Sequence, residues 1–439
     1  MRRLDLRGRK LSVREVTDLL PRAVNDIEAS LKSVLPIIEA VRDLGESALV
    51  ELAQKFDEID PRPIRVSQSE LDRALAELAT PLREAIETAI TRVRLVSEAN
   101  MPKDSSVTLD VGAVVQQRWS PVDSVGLYVP GGKAVYPSSV IMNVVPAQVA
   151  GVQRLAVVTP GQKAFSGRPH PTVLATAALL GVTEVYAIGG PAAIAALAHG
   201  VSSIGLEPVV LVTGPGNNYV TAAKRALRGI VGIDSEAGAT EIMVIADASA
   251  NPQFVAADLI SQAEHDESAA SILVTDSEEL LERVAEELDL LLQHAHHVTR
   301  IETALQGRQS ALVLVDDLPQ AVFVANAYAT EHLEIQVADP QALASKISNA
   351  GAIFLGPFAP VSLGDYMAGS NHVLPTSQQA KFGSGLGVHS FLKAIQVIEY
   401  SEQALAEISA KIRLFADEEG LPAHADAVQI RAGKPRHAE

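Results

Sequence analysis

The sequence predicts an α/β protein built on two incomplete doubly wound parallel sheets, with helical arms at both ends, and three observations lead there. Short apolar runs end repeatedly in glycine and proline: Val125 to Val129 in Pro130-Gly131-Gly132, Leu155 to Thr159 in Pro160-Gly161, Val185 to Ile188 in Gly189-Gly190-Pro191, and Val209 to Thr213 in Gly214-Pro215-Gly216-Asn217. Each run is followed by an Ala-rich amphipathic stretch, and strands roughly thirty residues apart with helices between them are βαβ units. Aromatic residues make up only 4% of the chain while Ala and Val dominate the apolar set, which suits helices packed on buried parallel strands.

Taken in order, residues 1–24 read as an N-terminal helical arm. The rest of the first hundred residues also read as helices, with Leu31, Val34, Ile38 and Val41, then Leu71, Leu75 and Leu78, at spacings of three and four. Asp60-Pro61-Arg62-Pro63 interrupts them as a turn. The four glycine-ended runs form a first Rossmann-like half, residues 128–238, inserted into a core of residues 25–127 and 239–385. That core carries a second strand series, Ile242 to Ala246, Ser271 to Thr275, Ala311 to Val315 and Ala352 to Leu355. An ancient duplication would explain two such halves. From residue 386 to 439 the pattern is helical again, with Ala404, Ile408 and Ile412 at spacing four.

Composition narrows the function. The chain has 36 Lys and Arg against 53 Asp and Glu, a net charge of -17, with no basic run to offset it. So acidic a surface repels nucleic acid and anionic lipid. No window approaches about eighteen uninterrupted apolar residues, so no membrane span is expected and the cytoplasm is the expected setting. There is no cysteine, which excludes disulfides, thiolate nucleophiles and thiolate metal ligands.

The chemistry-bearing segments are five. Glycine turns at strand ends let a phosphate approach the backbone, and the following helix N-terminus favours its charge. The first half therefore reads as a nucleotide crevice, with Tyr128 as a stacking face and Asn217 as an amide at the strand ends. A tight turn explains Gly214-Pro215-Gly216 nearly as well. In Ser261-Gln262-Ala263-Glu264-His265, a helix starting at Asn251-Pro252 puts Gln262 and His265 on neighbouring surface, where amide oxygen and imidazole can share a cation. A His favoured by the helix C-terminus is the plainer account of this segment alone. Glu331-His332 offers a carboxylate and an imidazole flanked by Leu333 and Ile335, two groups that titrate near neutrality when partly buried. Residues 364–375 form a long Gly-containing loop carrying Asp365 and His372. Glu419 and His424 sit in the C-terminal arm and would alone be dismissed as surface. The His294-Ala295-His296-His297 tract reads as a solvated face.

Together and in this order, these segments resemble the histidinol dehydrogenases. The match runs through Tyr128-Val129-Pro130-Gly131-Gly132-Lys133-Ala134, Gly214-Pro215-Gly216-Asn217, Ile245-Ala246-Asp247, the Ser261 to His265 run, Glu331-His332-Leu333, and Asn371 to Thr376. The resemblance implies NAD-dependent, four-electron oxidation of L-histidinol to L-histidine through a bound aldehyde. It implies Gln262, His265, Asp365 and His424 as ligands of one Zn²⁺, with Mn²⁺ also compatible with such an N/O set. His332 would be the base for the hydroxyl proton and Glu331 the activator of water. Thr240, His372 and Glu419 match substrate contacts, alongside Gln262, His265, His332, Asp365 and His424. Tyr128 and Asn217 match cofactor contacts. The C-terminal arm would cross to the partner in a homodimer, so that Glu419 and His424 complete the partner's site.

Three positions depart from the family pattern. Gly238-Ala239-Thr240 stands where Gly-Pro-Ser is usual, and keeps the hydroxyl. Ala192 stands where a glutamine usually follows the diglycine, removing one cofactor hydrogen bond worth about 0.5–1.5 kcal/mol. Gly383-Ser384-Gly385 is looser than the usual turn. Two other activities fit the same residues: a related zinc and NAD dehydrogenase of another polar diol or amino alcohol, and a metal-dependent hydrolase using Glu331 on bound water.

Overall fold

In the computed structural model, residues 1–23, 27–131, 135–236 and 238–432 are described. Gly132, Lys133 and Ala134 of the first glycine turn, and the expected domain edge at 24 and 25, lie outside them. Two parallel sheets dominate. The first runs Glu184–Ala187, Arg154–Thr159, Ser124–Tyr128, Leu211–Thr213, Gly232–Ile233 across the sheet. The second runs Arg2–Asp5, Ala311–Leu314, Ala270–Thr275, Glu241–Ala246, His332–Gln336, Ala352–Leu355. Counted from the first strand of each half, Ser124–Tyr128 and Glu241–Ala246, both read 3-2-1-4-5, with Arg2–Asp5 added at one edge of the second. Two doubly wound halves of like topology are the fold expected from the sequence.

Every strand of the second sheet except its two edges is buried along its whole length, which explains the apolar runs of Glu241–Ala246, Ala270–Thr275 and Ala311–Leu314. In the first, the pleat sends Val125, Leu127 and Val129 into one apolar layer, while Ala156, Val158 and Val212 from neighbouring strands face the other. Helices cover both faces. The helices of residues 27–99 were expected to belong with the 239–385 core, but their apolar stripes pack on the first half. Val34, Ile38 and Val41 join the layer of Val158 and Val212, and Leu71, Ile86 and Val93 join that of Leu127 and Val157. Periodicity reveals that a helix has a buried face, not which sheet covers it.

The arms are not purely helical. Arg2–Asp5 is an edge strand paired in parallel with Ala311–Leu314 before the helix Val13–Leu19 begins. Its three charged residues, Arg2, Arg3 and Asp5, suit an edge. The C-terminal segment starts with the nine-residue strand Leu392–Tyr400, antiparallel to Ala113–Pro121, which pairs in turn with Ser105–Asp110. Only then come the helices Glu402–Glu418 and Pro422–Arg431. Their principal packing is against each other, and Leu414 and Phe415 remain 72% exposed. No described helix is long and apolar enough to cross a membrane.

Candidate active site

Two cavities correspond to the two halves. One of about 510 Å³ opens at the carboxyl ends of the first sheet, lined by Tyr128, Gly131, Pro160, Gly189, Ala192 and Asn217 among others. It sits at the reversal of strand order between Ser124–Tyr128 and Leu211–Thr213, where open α/β sheets leave a crevice. The Tyr128 hydroxyl accepts a hydrogen bond from Gly190 N at 3.3 Å, at the N-terminus of the helix Gly190–His199. Asn217 Oδ1 caps the helix Asn218–Leu227 by accepting from Tyr219 N and Val220 N, which leaves its NH₂ to face a ligand. Gly214 is obligatory here: its φ is +116° and a Cβ would come within 2.1 Å of the Tyr128 carbonyl oxygen. A buried ion pair, Lys224 with Asp234, braces that turn: Gly214 N donates to Asp234 Oδ2 at 2.8 Å and Lys224 Nζ donates to Gly214 O at 2.8 Å.

The second cavity, about 810 Å³, lies between the halves. Tyr136 and Ser138, at the start of the helix Pro137–Ala150, form one wall, and His265 and Asp365 form the facing one. It gathers at the amino ends of the second sheet's strands, because the helix Pro252–Ala263 runs back against its parallel neighbours and delivers its last turn there. Pro252 opens that helix and Asn251 Oδ1 caps it at 3.0 Å from Gln253 N, as the sequence predicts. Asp365, expected on a long loop, lies instead on the short helix Val361–Tyr366. The loop proper begins beyond it, and His372 there has Nδ1 at 3.1 Å from Asp365 O and Nε2 at 3.3 Å from Ser139 Oγ. Of the histidine tract, His297 alone lines this cavity, and His294 and His296 are exposed.

Behind that wall sit Glu331 and His332, 6% and 5% exposed, where the helix Leu318–Tyr328 passes into the strand His332–Gln336. Two hydrogen bonds converge on Glu331 Oε2, from Thr240 Oγ1 at 2.6 Å and from Glu241 N at 2.9 Å. Burial nevertheless pushes the Glu331 carboxyl up to about 8. His332 Nδ1 lies 3.2 Å from Glu241 O, so the Nδ1–H tautomer donates to that carbonyl and leaves Nε2 with its lone pair free. Burial lowers this imidazole to about 4, which keeps it neutral. His265, Asp365 and His372 all lie close enough to act on it electrostatically. Glu241 was not singled out in the sequence. It heads the strand Glu241–Ala246, is buried, and is held by Arg22 through Nε–Oε1 at 2.5 Å, with the guanidinium over the Tyr328 ring. A lone carboxylate at the head of an unbroken apolar run was the available signal.

Gln262 carries an atom that a cation would satisfy. Its Nε2 donates to Thr240 Oγ1 at 2.5 Å, but its Oε1 is buried without a hydrogen-bond partner. A buried amide oxygen left bare is costly, and His265 three residues on and Asp365 on the same wall add an imidazole and a carboxylate, an N/O donor set that would suit a divalent metal. The set fits. It is one donor short of a closed site, and among the described residues no group of three or more His, Cys, Asp or Glu gathers as a metal centre. His424 and Glu419 are not brought to this place. Both are exposed on the C-terminal helices and line neither cavity.

A family model described as histidinol dehydrogenase matches residues 20–432. A histidinol dehydrogenase of Leifsonia xyli subsp. xyli is 54% identical over 431 residues, covering 98% of this chain and 99% of that protein. One of Mycobacterium tuberculosis (strain ATCC 25618 / H37Rv) is 54% identical over 432 residues, covering 98% and 97%. The crystal structure of a histidinol dehydrogenase from Elizabethkingia anophelis superposes with a TM-score of 0.93 at 33% identity, over 99% of this chain and 98% of that one.

Proposed function

Since the chain belongs to the histidinol dehydrogenase family, we propose that it oxidises L-histidinol to L-histidine in two successive steps through a bound aldehyde. The observation that carries this is the pairing of a neutral His332, its Nε2 free, with a Glu331 that titrates near 8. Two adjacent groups with separated ionisations divide the proton work.

Tyr128, Asn217 and the amino end of the Gly190–His199 helix would hold NAD in the crevice of the first half, where it would supply the hydride acceptor for each oxidation. Gln262, His265 and Asp365 would hold a divalent metal, zinc by preference, whose fixed positive charge would orient the substrate's imidazole and amino group. His332 Nε2 takes the hydroxyl proton of the alcohol, leaving a carbonyl, while its Nδ1–H stays on Glu241 O. Glu331 takes a proton from water as the water oxygen bonds to the carbonyl carbon and His332 Nε2 returns its proton to the carbonyl oxygen, giving the hydrate. His332 then takes a proton from the hydrate, leaving the carboxylic acid. Thr240 links the parts, since its hydroxyl donates to Glu331 and accepts from Gln262. His372 is proposed as a further substrate contact.

A second copy completes the site. Glu419 and His424 stand exposed on helices whose Leu414 and Phe415 lack apolar cover. This supports a homodimer in which the C-terminal arm supplies the missing donor. The proposed setting is the cytoplasm. Incubating the purified chain with L-histidinol and NAD, with and without a chelator, tests the reading. Two NADH per histidinol, lost on chelation, is the expected result. One NADH would refute the four-electron course, no NADH would favour a hydrolase, and indifference to the chelator would remove the metal.

A further inference from the structure

A carboxyl pair that the chemistry above leaves unused lies just behind the cavity wall. Along the strand His332–Gln336 the pleat divides the side chains. Leu333 and Ile335 enter the apolar layer of Met243 and Ile245, while His332, Glu334 and Gln336 share the opposite face. Glu334 is 1% exposed. Its Oε1 accepts from Val361 N at 2.9 Å and its Oε2 accepts from Gln336 Nε2 at 3.0 Å. Gln336 Nε2 also reaches Asp258 Oδ2 at 3.1 Å, and the Glu334 and Asp258 carboxyls are hydrogen-bonded to each other. Two carboxyls in such contact share one proton. Burial, with the neighbouring Asp258 charge, pushes Glu334 well above the usual carboxylate range, so Glu334 is the donor and Asp258 the acceptor.

Each partner stands about one helical turn from a proposed metal ligand. Asp258 precedes Gln262 by four positions on the helix Pro252–Ala263, and His265 follows just beyond the end of that helix. Val361 precedes Asp365 by four on the helix Val361–Tyr366. Glu334 itself is two residues from His332, on the same face of its strand. The three elements that carry the site thus meet at one side chain. An apolar residue of equal size would fill that core at least as well, but it would fix neither the direction nor the separation of the two helices.

We propose that Glu334, through Asp258 and the Val361 amide, is a positioning residue that sets Gln262 and His265 at the end of one helix and Asp365 on another at the spacing a divalent cation requires. This rests on the reading of those three residues as metal ligands.

The test uses the full chain and Zn²⁺ alone, its affinity read by competition with a chromogenic chelator, beside kcat, KM and circular dichroism. Glu334→Leu keeps the bulk and removes every hydrogen bond. Glu334→Gln keeps an acceptor for Val361 N and a donor for Asp258, and the Gln336 amide can turn to offer its Oε1, which has no partner as it stands. The Leu variant should bind zinc about 10–100-fold more weakly with unchanged secondary structure and a fall in kcat, and the Gln variant should stay within about threefold. Asp258→Ala, at a partly exposed position, should weaken zinc likewise and carries the test should Glu334→Leu not fold. Zinc affinity unchanged in these two apolar variants, or a Gln variant as weak as the Leu one, would overturn the positioning role. An unsubstituted chain that binds no zinc would overturn the metal reading, and this proposal with it.

Discussion

Replacing Thr240 with valine removes one hydroxyl at nearly constant volume and reaches the proton chemistry directly. That hydroxyl donates to Glu331 Oε2 at 2.6 Å, and the only other hydrogen bond to that oxygen among the described residues comes from Glu241 N. A hydrogen bond to a charged group is worth about 1.5–3 kcal/mol. It favours the ionised carboxylate, so its loss favours the protonated one and moves the ionisation upward. At about 1.36 kcal/mol per pH unit, the Glu331 ionisation climbs from about 8 by roughly one to two units. The assay is the pH dependence of NADH formation with L-histidinaldehyde, which isolates the step that needs water activated. The alkaline rise in rate should shift by that amount, leaving activity near pH 7 about 10–100-fold lower and recovering as the pH is raised. Thr240→Ser, which keeps the hydroxyl, should retain the original profile. A valine variant whose rate falls equally at every pH would refute the role given to this hydrogen bond.

Two further outcomes test the assembly and the nucleotide half. Mixing an inactive His424→Ala chain with an inactive Asp365→Ala chain should regenerate activity in heterodimers, and no recovery would mean that each site is built within one chain. Lys224→Met should leave Asp234 buried and uncompensated beneath the Gly214 turn, lowering stability by about 3–5 kcal/mol in a denaturant titration; a loss under about 1 kcal/mol would show the pair to be solvated.

Much of the site was legible because its residues are chemically conspicuous where they fall. Gln262 lies in the last turn of a helix whose start was marked by Asn251-Pro252, while His265, expected on the same helix, falls in a bend just beyond its end. Glu331-His332 was ambiguous alone. As an adjacent pair in a strand they would point to opposite faces, and only their place at a helix-to-strand junction brings Glu331 Oε2 within 3.6 Å of His332 Nδ1. The strand they begin escaped notice because its polar residues alternate within an otherwise buried sheet. The same alternation, His332, Glu334 and Gln336, was the sign of the carboxyl pair. Ala113–Pro121 and Leu392–Tyr400 were missed for a related reason, since partly exposed antiparallel strands lack the solid apolar run of a buried parallel one.

The sequence by itself determined the two α/β halves, the crevice at the carboxyl ends of the first sheet, and the identity of the groups that can do the chemistry. Periodicity and glycine placement are local properties, and local physics reads them. Tertiary structure alone decided that the helices of residues 27–99 cover the first sheet, that the proposed catalytic groups gather at the amino ends of the second, and that Glu419 and His424 stand away from it. It also decided that Glu331 titrates near 8 while His332, its neighbour in sequence, stays neutral. Burial, and the partner offered to each buried atom, depend on what the rest of the chain places alongside, and no spacing along the sequence encodes that.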